Sequence, residues 1–389
     1  MSYYKKIEGD TIYLASINLD DAKEYMQWVN APNVVFEGYK RENQITEEEA
    51  REELNNMAIE NVFAIIDKDT EQFIGLTGFT NTQAMNQRSH MWIKMCPDIA
   101  YDSQIFNGVQ ATDLMLEYAF DIMNLHSVVV DVPIFNQQAL DICTNSQLFF
   151  MGERKYSSRL GENLYSTVSF QCTKPLYGTK NQATKLNFSN RCCSINGLAV
   201  DEANLQKVLN GEHIRLCKYD GQKDYIARMA SFLNDPRVSI PLGEYKTNWN
   251  DYRAKKHLES VDYVIEKDSD IIGYINLFRK DLYNKTADLE VMIGDVSEQN
   301  KGYGTEAVQL FLDEQFKNGP FNSLVSSVFE FNLPSQKLHE SIGYQEIGIR
   351  PEAYYAYGKL NNMHIYEINR DIYEKRKGKS KKVLTNNSC

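Results

Sequence analysis

Apolar residues recur along this chain at strand and helix spacings, and one order of elements occurs twice. Thr11-Ile12-Tyr13-Leu14 predicts a strand, after which Asp20 and Asp21 open a helix with Ala22, Tyr25, Met26 and Val29 on one face. That helix is expected to close at Asn30-Ala31-Pro32-Asn33-Val34, since proline cannot continue it. His213-Ile214-Arg215-Leu216 repeats the strand, and Tyr225, Ile226, Met229 and Leu233 repeat the helix. Asn234-Asp235-Pro236-Arg237-Val238 repeats the ending. Phe63-Ala64-Ile65-Ile66 then matches Tyr263-Val264-Ile265-Glu266, and Phe73-Ile74-Gly75 matches Ile271-Ile272-Gly273. His126 to Asn136 aligns with Asn322 to Asn332, without a gap as far as Gly152 and Gly348. Solenoid repeats have periods of roughly 20–50 residues, far shorter than this one, so the chain reads as two copies of one domain.

The expected limits are a first copy over 1–172, a linker over 173–210, a second copy over 211–373 and a basic disordered tail over 374–389. The linker holds Pro175, Gly178 and the polar run Thr179-Lys180-Asn181-Gln182, with a short helix expected from Asp201.

One junction in the second copy carries chemistry. The apolar strand Leu289–Ile293 leads through a polar turn, with Gln299, Asn300, Lys301, Gly302, Tyr303, Gly304 and Thr305, into a helix bearing Val308, Phe311, Leu312 and Phe316. Unpaired N–H groups and the positive end of the helix dipole bind phosphate at such a start. The spacing Gln-x-x-Gly-x-Gly matches neither the dinucleotide fingerprint nor the P-loop. In the first copy Ser103, Phe106 and Gly108 stand where Gln299, Gly302 and Gly304 do, so a phenylalanine replaces the first glycine.

This loop resembles the pyrophosphate loop of the GNAT acyltransferases, and the resemblance extends from His213 to near Ile372. Downstream, Phe331-Asn332-Leu333-Pro334-Ser335 leads into a helix ending in Gly343-Tyr344, similar to the family's asparagine, helix and Gly-aromatic ending. The resemblance implies a mixed α/β fold in each copy, with a mostly antiparallel sheet flanked by helices. It implies acetyl-CoA as co-substrate, held by Gln299 to Thr305 and by Asn332 and Ser335, with backbone N–H groups of Met292 and Ile293 on the thioester. Ser335 and the Asn-Asp-Pro ending resemble the RimL-like branch, which modifies amino groups.

An amine must be neutral to attack a thioester, yet a lysine-like ammonium has a pKa of roughly 10, so a base is needed. Asp288 and Glu290 alternate with apolar neighbours on one strand face. Asp288 stands at the position the family often uses, and Glu290 is the other candidate. The first copy reads Ser89-His90-Met91-Trp92-Ile93-Lys94 there, with no carboxylate. His339 occupies the place of a tyrosine that protonates the leaving thiolate in many relatives. It is expected either to fill that role or to be a helix histidine with a structural hydrogen bond; Tyr344, Tyr354 and Tyr355 are further candidates.

Composition narrows the rest. The 389 residues suit two domains, and a net charge of −11 argues against general nucleic-acid binding. No apolar run is long enough to span a membrane and no leader is evident, so the expected location is the cytoplasm. Seven scattered cysteines and six histidines form no ligand pattern, so no metal is expected. The expected enzyme acetylates a primary amine of a small molecule or peptide from its second copy, the first being non-catalytic. It is read as a pseudo-dimeric monomer or a homodimer. The alternatives are an acyl-CoA-binding sensor or scaffold, and a FemX-like aminoacyltransferase using aminoacyl-tRNA.

Overall fold

The computed structural model describes residues 3–31, 44–180, 182–183, 185–186, 188, 191–244 and 248–377. Pro32, Asn33, Val34, Asn181 and the tail from Gly378 to Cys389 lie outside the described residues. Among those described, no helix is long and apolar enough to cross a membrane.

Contacts divide the chain into two units, each described by itself. The first comprises Met1–Glu153, Tyr165–Arg191 and Arg350–Tyr355; the second comprises Arg154–Leu164, Cys192–Ile349 and Ala356–Cys389.

The first half of the chain supplies strands β1 (Lys5–Glu8), β2 (Ile12–Ala15), β3 (Val62–Asp67), β4 (Phe73–Gln83), β5 (Arg88–Met95), β6 (Ser127–Pro133), β7 (Phe149–Leu160) and β8 (Asn163–Thr173). Its helices are α1 (Ala22–Asn30), α2 (Glu47–Ala58), α3 (Tyr101–Glu117) and α4 (Gln137–Asn145). β1 to β5 pair antiparallel in succession, β5 meets β6 in parallel, and β6 meets β8 antiparallel.

The second half supplies β9 (Cys193–Ser194), β10 (Val208–Asn210), β11 (Arg215–Cys217), β12 (Tyr263–Lys267), β13 (Asp270–Asp281), β14 (Thr286–Ile293), β15 (Ser323–Phe329), β16 (Gln345–Ala356) and β17 (Lys359–Asn369). Its helices are α5 (Lys223–Asn234), α6 (Pro236–Leu242), α7 (Asp251–Ser260), α8 (Tyr303–Asn318) and α9 (Leu333–Ile342). β10 to β14 pair antiparallel, β14 meets β15 in parallel, and β15 meets β17 antiparallel. The first sheet's pattern returns, with one parallel pair in a mostly antiparallel sheet.

Period-two alternation gives the second sheet two apolar faces. Ala287 and Leu289 pack with Val308, Phe311 and Leu312 of α8. Tyr274 and Met292 pack on the other face with Met229, Leu233, Ala254 and Leu258 of α5 and α7. Local chemistry sets the ends. Asp235 caps α6 by accepting the Arg237 N–H, and Pro236 stands at its first turn, where its missing N–H costs nothing. Thus Asn234-Asp235-Pro236 ends one helix and opens the next.

Two segments join the unit that their place in sequence would not suggest. In the second unit the Lys155 N–H donates to Glu367 Oε2 at 2.9 Å and the Arg159 N–H to Asn284 Oδ1 at 2.8 Å. Asn163 and Leu164 pair there with Ser194 and Cys193. In the first unit Gln171 Nε2 donates to the Pro351 carbonyl at 3.0 Å, and the Tyr355 N–H to Asn86 Oδ1 at 3.2 Å.

Two local expectations change. From Asp201 the chain makes a turn rather than a helix: the Asp201 carboxylate takes the Ala203 N–H at 2.9 Å, and the backbone bond that follows, from the Leu205 N–H to the Glu202 carbonyl at 3.1 Å, closes a single turn. The tail expected from 374 begins inside a helix running to 377, anchored by buried Tyr373, by a Lys377–Asp313 ion pair and by Arg376 on the Ser341 carbonyl.

Candidate active site

The parallel register of β14 and β15 covers Thr286↔Ser323, Ala287↔Leu324 and Asp288↔Val325, while β14 runs on to Ile293 and β15 to Phe329. Ser326 Oγ donates to the Leu289 carbonyl at 3.0 Å, just past the last paired residues. On its other edge β14 stays laddered to β13, and the Gly294 N–H continues that ladder to the Ile272 carbonyl at 2.8 Å. Antiparallel ladders alternate, so the Met292 amide also points at β13, whereas those of Val291 and Ile293 point away from it. Of the two expected carbonyl-polarising amides, only that of Ile293 faces the open side. Val291 was missed there, although the two-residue period of a strand identifies it.

The loop after β14 is held from several directions. Asp295 Oδ1 accepts from the Ser297 N–H at 3.0 Å and its hydroxyl at 2.6 Å, and Arg228 reaches Oδ2 at 3.1 Å. These bonds, the Ser297 hydroxyl foremost, hold the Asp295 carboxyl below its ordinary pKa. Gln299 Nε2 donates to the Ile293 carbonyl at 2.8 Å, folding the loop back on the strand end. Asn300 (φ +60°) and Gly302 (φ +90°) are left-handed, and a Cβ at Gly302 would meet nothing within 4 Å. Conformation, not space, calls for glycine at 302. The first helical bond of α8 runs from the Glu306 N–H to the Gly302 carbonyl at 3.0 Å. Tyr303, Gly304 and Thr305 therefore present amides with no intrahelical acceptor, and no side chain caps them among the described residues. Two lysines flank the turn: Lys301 lies 3.1 Å from Glu298, and Lys267 lies 3.5 Å from Glu298 with its ammonium over the Tyr303 ring. Lys267 was not foreseen; it precedes the turn that links β12 to β13, and nothing in the sequence ties it to a loop so far along.

The first unit supplies an internal comparison. Gln110 accepts the Thr11 and Ile12 N–H groups at 3.0 and 3.1 Å, as Glu306 accepts those of His213 and Ile214 at 2.9 and 3.4 Å. A Cβ on Gly108 would lie 2.4 Å from Ile142 Cδ1, and one on Gly304 would lie 3.0 Å from Leu338 Cδ1. These matches set Phe106, Asn107, Gly108 and Val109 against Gly302, Tyr303, Gly304 and Thr305. The first-unit residues lie inside α3, which begins at Tyr101 with the Gln104 N–H on the Ala100 carbonyl at 2.9 Å. Their amides are spent on helical bonds. The glycine shared by both copies keeps two helices close, and only Gly302 is particular to the second.

The carboxylates of Asp288 and Glu290 project to the α5–α7 face, as alternation requires. Asp288 is buried at the end of the parallel pairing and forms an ion pair with Arg279. Glu290 accepts from the Tyr274 hydroxyl at 2.5 Å. Burial pushes its pKa up, the Tyr274 bond opposes this, and the nearby Glu244 charge adds to it. The His257 and Tyr274 rings pack edge to face, centroids 4.7 Å apart, and Trp249 packs edge to face with His257 at 5.5 Å. Sequence reasoning missed Tyr274 and His257, since neither belongs to a motif.

His339 lies in the core, 3 % exposed, with Nδ1 donating to the Ser335 carbonyl at 2.7 Å and Nε2 without a partner among the described residues. Burial drives its pKa down to about 4, so at neutral pH the ring is uncharged. That is the environment of a structural helix histidine. Asn332 caps α9, its Oδ1 accepting from the Ser335 N–H at 3.3 Å and its Nδ2 reaching the Pro241 carbonyl at 3.4 Å. Asn136 caps α4 the same way, on the Ala139 N–H at 3.1 Å. The Ser335 hydroxyl lies 3.4 Å from His339 Nδ1. Tyr344 is buried, and Tyr354 and Tyr355 belong to the first unit.

Comparison with known proteins agrees with this architecture. The family described as Acetyltransferase (GNAT) domain matches residues 11–146 and again 216–345, more than half of the chain. The SPbeta prophage-derived uncharacterized N-acetyltransferase YokL of Bacillus subtilis is 23% identical over 163 residues, 41% of this chain and 87% of that one. The uncharacterized N-acetyltransferase p20 of Bacillus licheniformis is 24% identical over 119 residues, covering 31% and 66% respectively. The structure of a GNAT-family acetyltransferase from Bacillus anthracis aligns with 43% of this chain and 98% of its own at 16% identity, with a TM-score of 0.37. Two copies of one fold, each matched by the same family, make this chain a member of the GNAT acetyltransferases that carries the domain in tandem.

Proposed function

We propose that the second copy, 211–373, transfers an acetyl group from acetyl-CoA to a primary amine of a small molecule or peptide, and that the first copy, 1–172, is non-catalytic. The observation that carries this reading is the start of α8. Three amides without helical acceptors and two left-handed residues form a place for a pyrophosphate, whereas helix fills the same stretch of the first unit.

In this reading the thioester lies against the open side of β14, its carbonyl polarised by the amides of Ile293 and Val291. Glu290 takes a proton from the acceptor ammonium. Its raised pKa suits that task better than Asp288, whose carboxylate is engaged by Arg279. The neutral amine adds to the carbonyl carbon, the C–S bond breaks, coenzyme A leaves as a thiolate, and the second proton on the nitrogen passes to solvent to give the neutral amide. A thiol has a pKa of about 8.5, so solvent can protonate that group near neutrality without a dedicated acid. Asn332 and Ser335 would line the path of the coenzyme's arm from the α9 end.

The test is acetyl-CoA-dependent release of free thiol with a panel of peptides, diamines and amino sugars. Turnover with at least one amine, lost in Gly302→Val, is expected. Coenzyme binding without turnover on any amine would favour a sensor, and no binding would remove the reading altogether.

A further inference from the structure

We infer that Tyr274 is the positioning residue of the base, its hydroxyl fixing one oxygen of Glu290 so that the other is left for the amine; this rests on Glu290 acting as proposed above. Tyr274 stands opposite Met292, which places it diagonally across from Glu290, within reach of a long side chain. Its ring is 2 % exposed and lies among Met229, Leu233, Ala254 and Leu258, packed edge to face with His257. The hydroxyl has little freedom to swing away, and it donates to Glu290 Oε1 at 2.5 Å. Donation to a carboxylate favours its charged form.

The two copies differ at this pair as a pair. The register Tyr274↔Met292 corresponds to Leu76↔Lys94, so Leu76 and Trp92 occupy the places of Tyr274 and Glu290. Hydroxyl and carboxylate are present together in one unit and absent together in the other. The hydroxyl thus goes with the carboxylate and not with the apolar ring pocket alone.

Among the described residues, the groups that bear on Glu290 are Tyr274 from β13, Glu244 from the loop after α6 and, through Tyr274, His257 from α7. Asp288, two residues away on the same face, is engaged by Arg279. Burial holds His257 neutral, with a pKa of about 4, so no imidazolium competes with Tyr274 for the carboxylate.

The experiment is the pH profile of kcat/KM for Tyr274→Phe, with acetyl-CoA affinity measured alongside by calorimetry. Loss of the donor is expected to move the acidic limb up by about one pH unit, a loss of about tenfold below the limb, with coenzyme affinity unchanged. An unmoved limb, or an equal loss at every pH, would overturn the inference. Should Tyr274→Phe fail to fold, His257→Ala is read instead. Loosening the Tyr274 ring is then expected to move the limb the same way, and an unmoved limb overturns the inference. Glu290→Gln separates the two ideas. If it keeps the full profile, the base is misassigned; if it abolishes the limb while Tyr274→Phe leaves it in place, only the positioning role fails.

Discussion

At Glu290 and His339 the same force, burial, moves two titratable groups in opposite directions. At Glu290 desolvation raises a carboxyl pKa toward neutrality, where a base works well. Glu290→Gln is therefore expected to lower kcat/KM by about 10²–10⁴ near neutral pH, and by less at high pH, where the amine deprotonates itself. Asp288→Asn removes an ion pair and should stay within a few-fold of the parent; the two pH profiles distinguish the candidates. At His339 desolvation lowers the pKa from 6.5 to about 4. The unfolded chain then takes the proton first as pH falls. The stability due to the neutral ring is complete above pH 6.5 and is lost between 6.5 and about 4. Denaturant titrations at pH 7 and pH 5 should show the wild type losing about 2 kcal/mol more than His339→Phe. His339→Phe should also keep its turnover, and a large drop in kcat would restore this residue as the proton donor. The acids were legible from alternation along one strand. The burial of His339 was not, because a helix histidine looks the same in sequence whichever side of the helix it takes.

Among elements, the comparison of α3 with α8 carries the most weight. Their apolar faces were plain from helical spacing, as were the strands before them and the repeat that relates them. The start of α3 at Tyr101, ahead of Asn107 where alignment with Tyr303 would put it, was hidden. Neither helix opens on a side-chain cap that would mark its first turn. The two shared glycines were also ambiguous until their neighbours were known. A Cβ at Gly304 would meet the flexible end of Leu338, whereas one at Gly108 would meet both Cδ1 and Cγ1 of the stiffer Ile142. Gly304→Ala should accordingly be close to neutral, the crowding offset by helix propensity. Gly108→Ala should destabilise by about 1–3 kcal/mol in urea unfolding. Equal effects would contradict the packing account.

At the scale of the whole chain, the repeat alone suggests that either copy could be cut out at the linker, but the units are not contiguous in sequence. The second takes in residues 154–164, whose Lys155 N–H meets Glu367, a buried carboxyl with its pKa raised by that burial. Removing this partner leaves an acceptor under-satisfied at a cost of about 1–3 kcal/mol. A fragment over 192–389 should thus unfold at lower denaturant than one over 150–389, and matching midpoints would argue against the exchange. Such an exchange is invisible in sequence, since a strand that leaves its own copy keeps the same alternation. We expect a single coenzyme site per chain, in the second unit. Calorimetric titration of the full chain with acetyl-CoA tests it most directly, alongside Gly302→Val and Phe106→Ala. One site per chain is expected, weakened at least tenfold by Gly302→Val, where a β-branched side chain must take φ +90°, and unaffected by Phe106→Ala. Two sites per chain, or one that survives Gly302→Val and responds to Phe106→Ala, would contradict it.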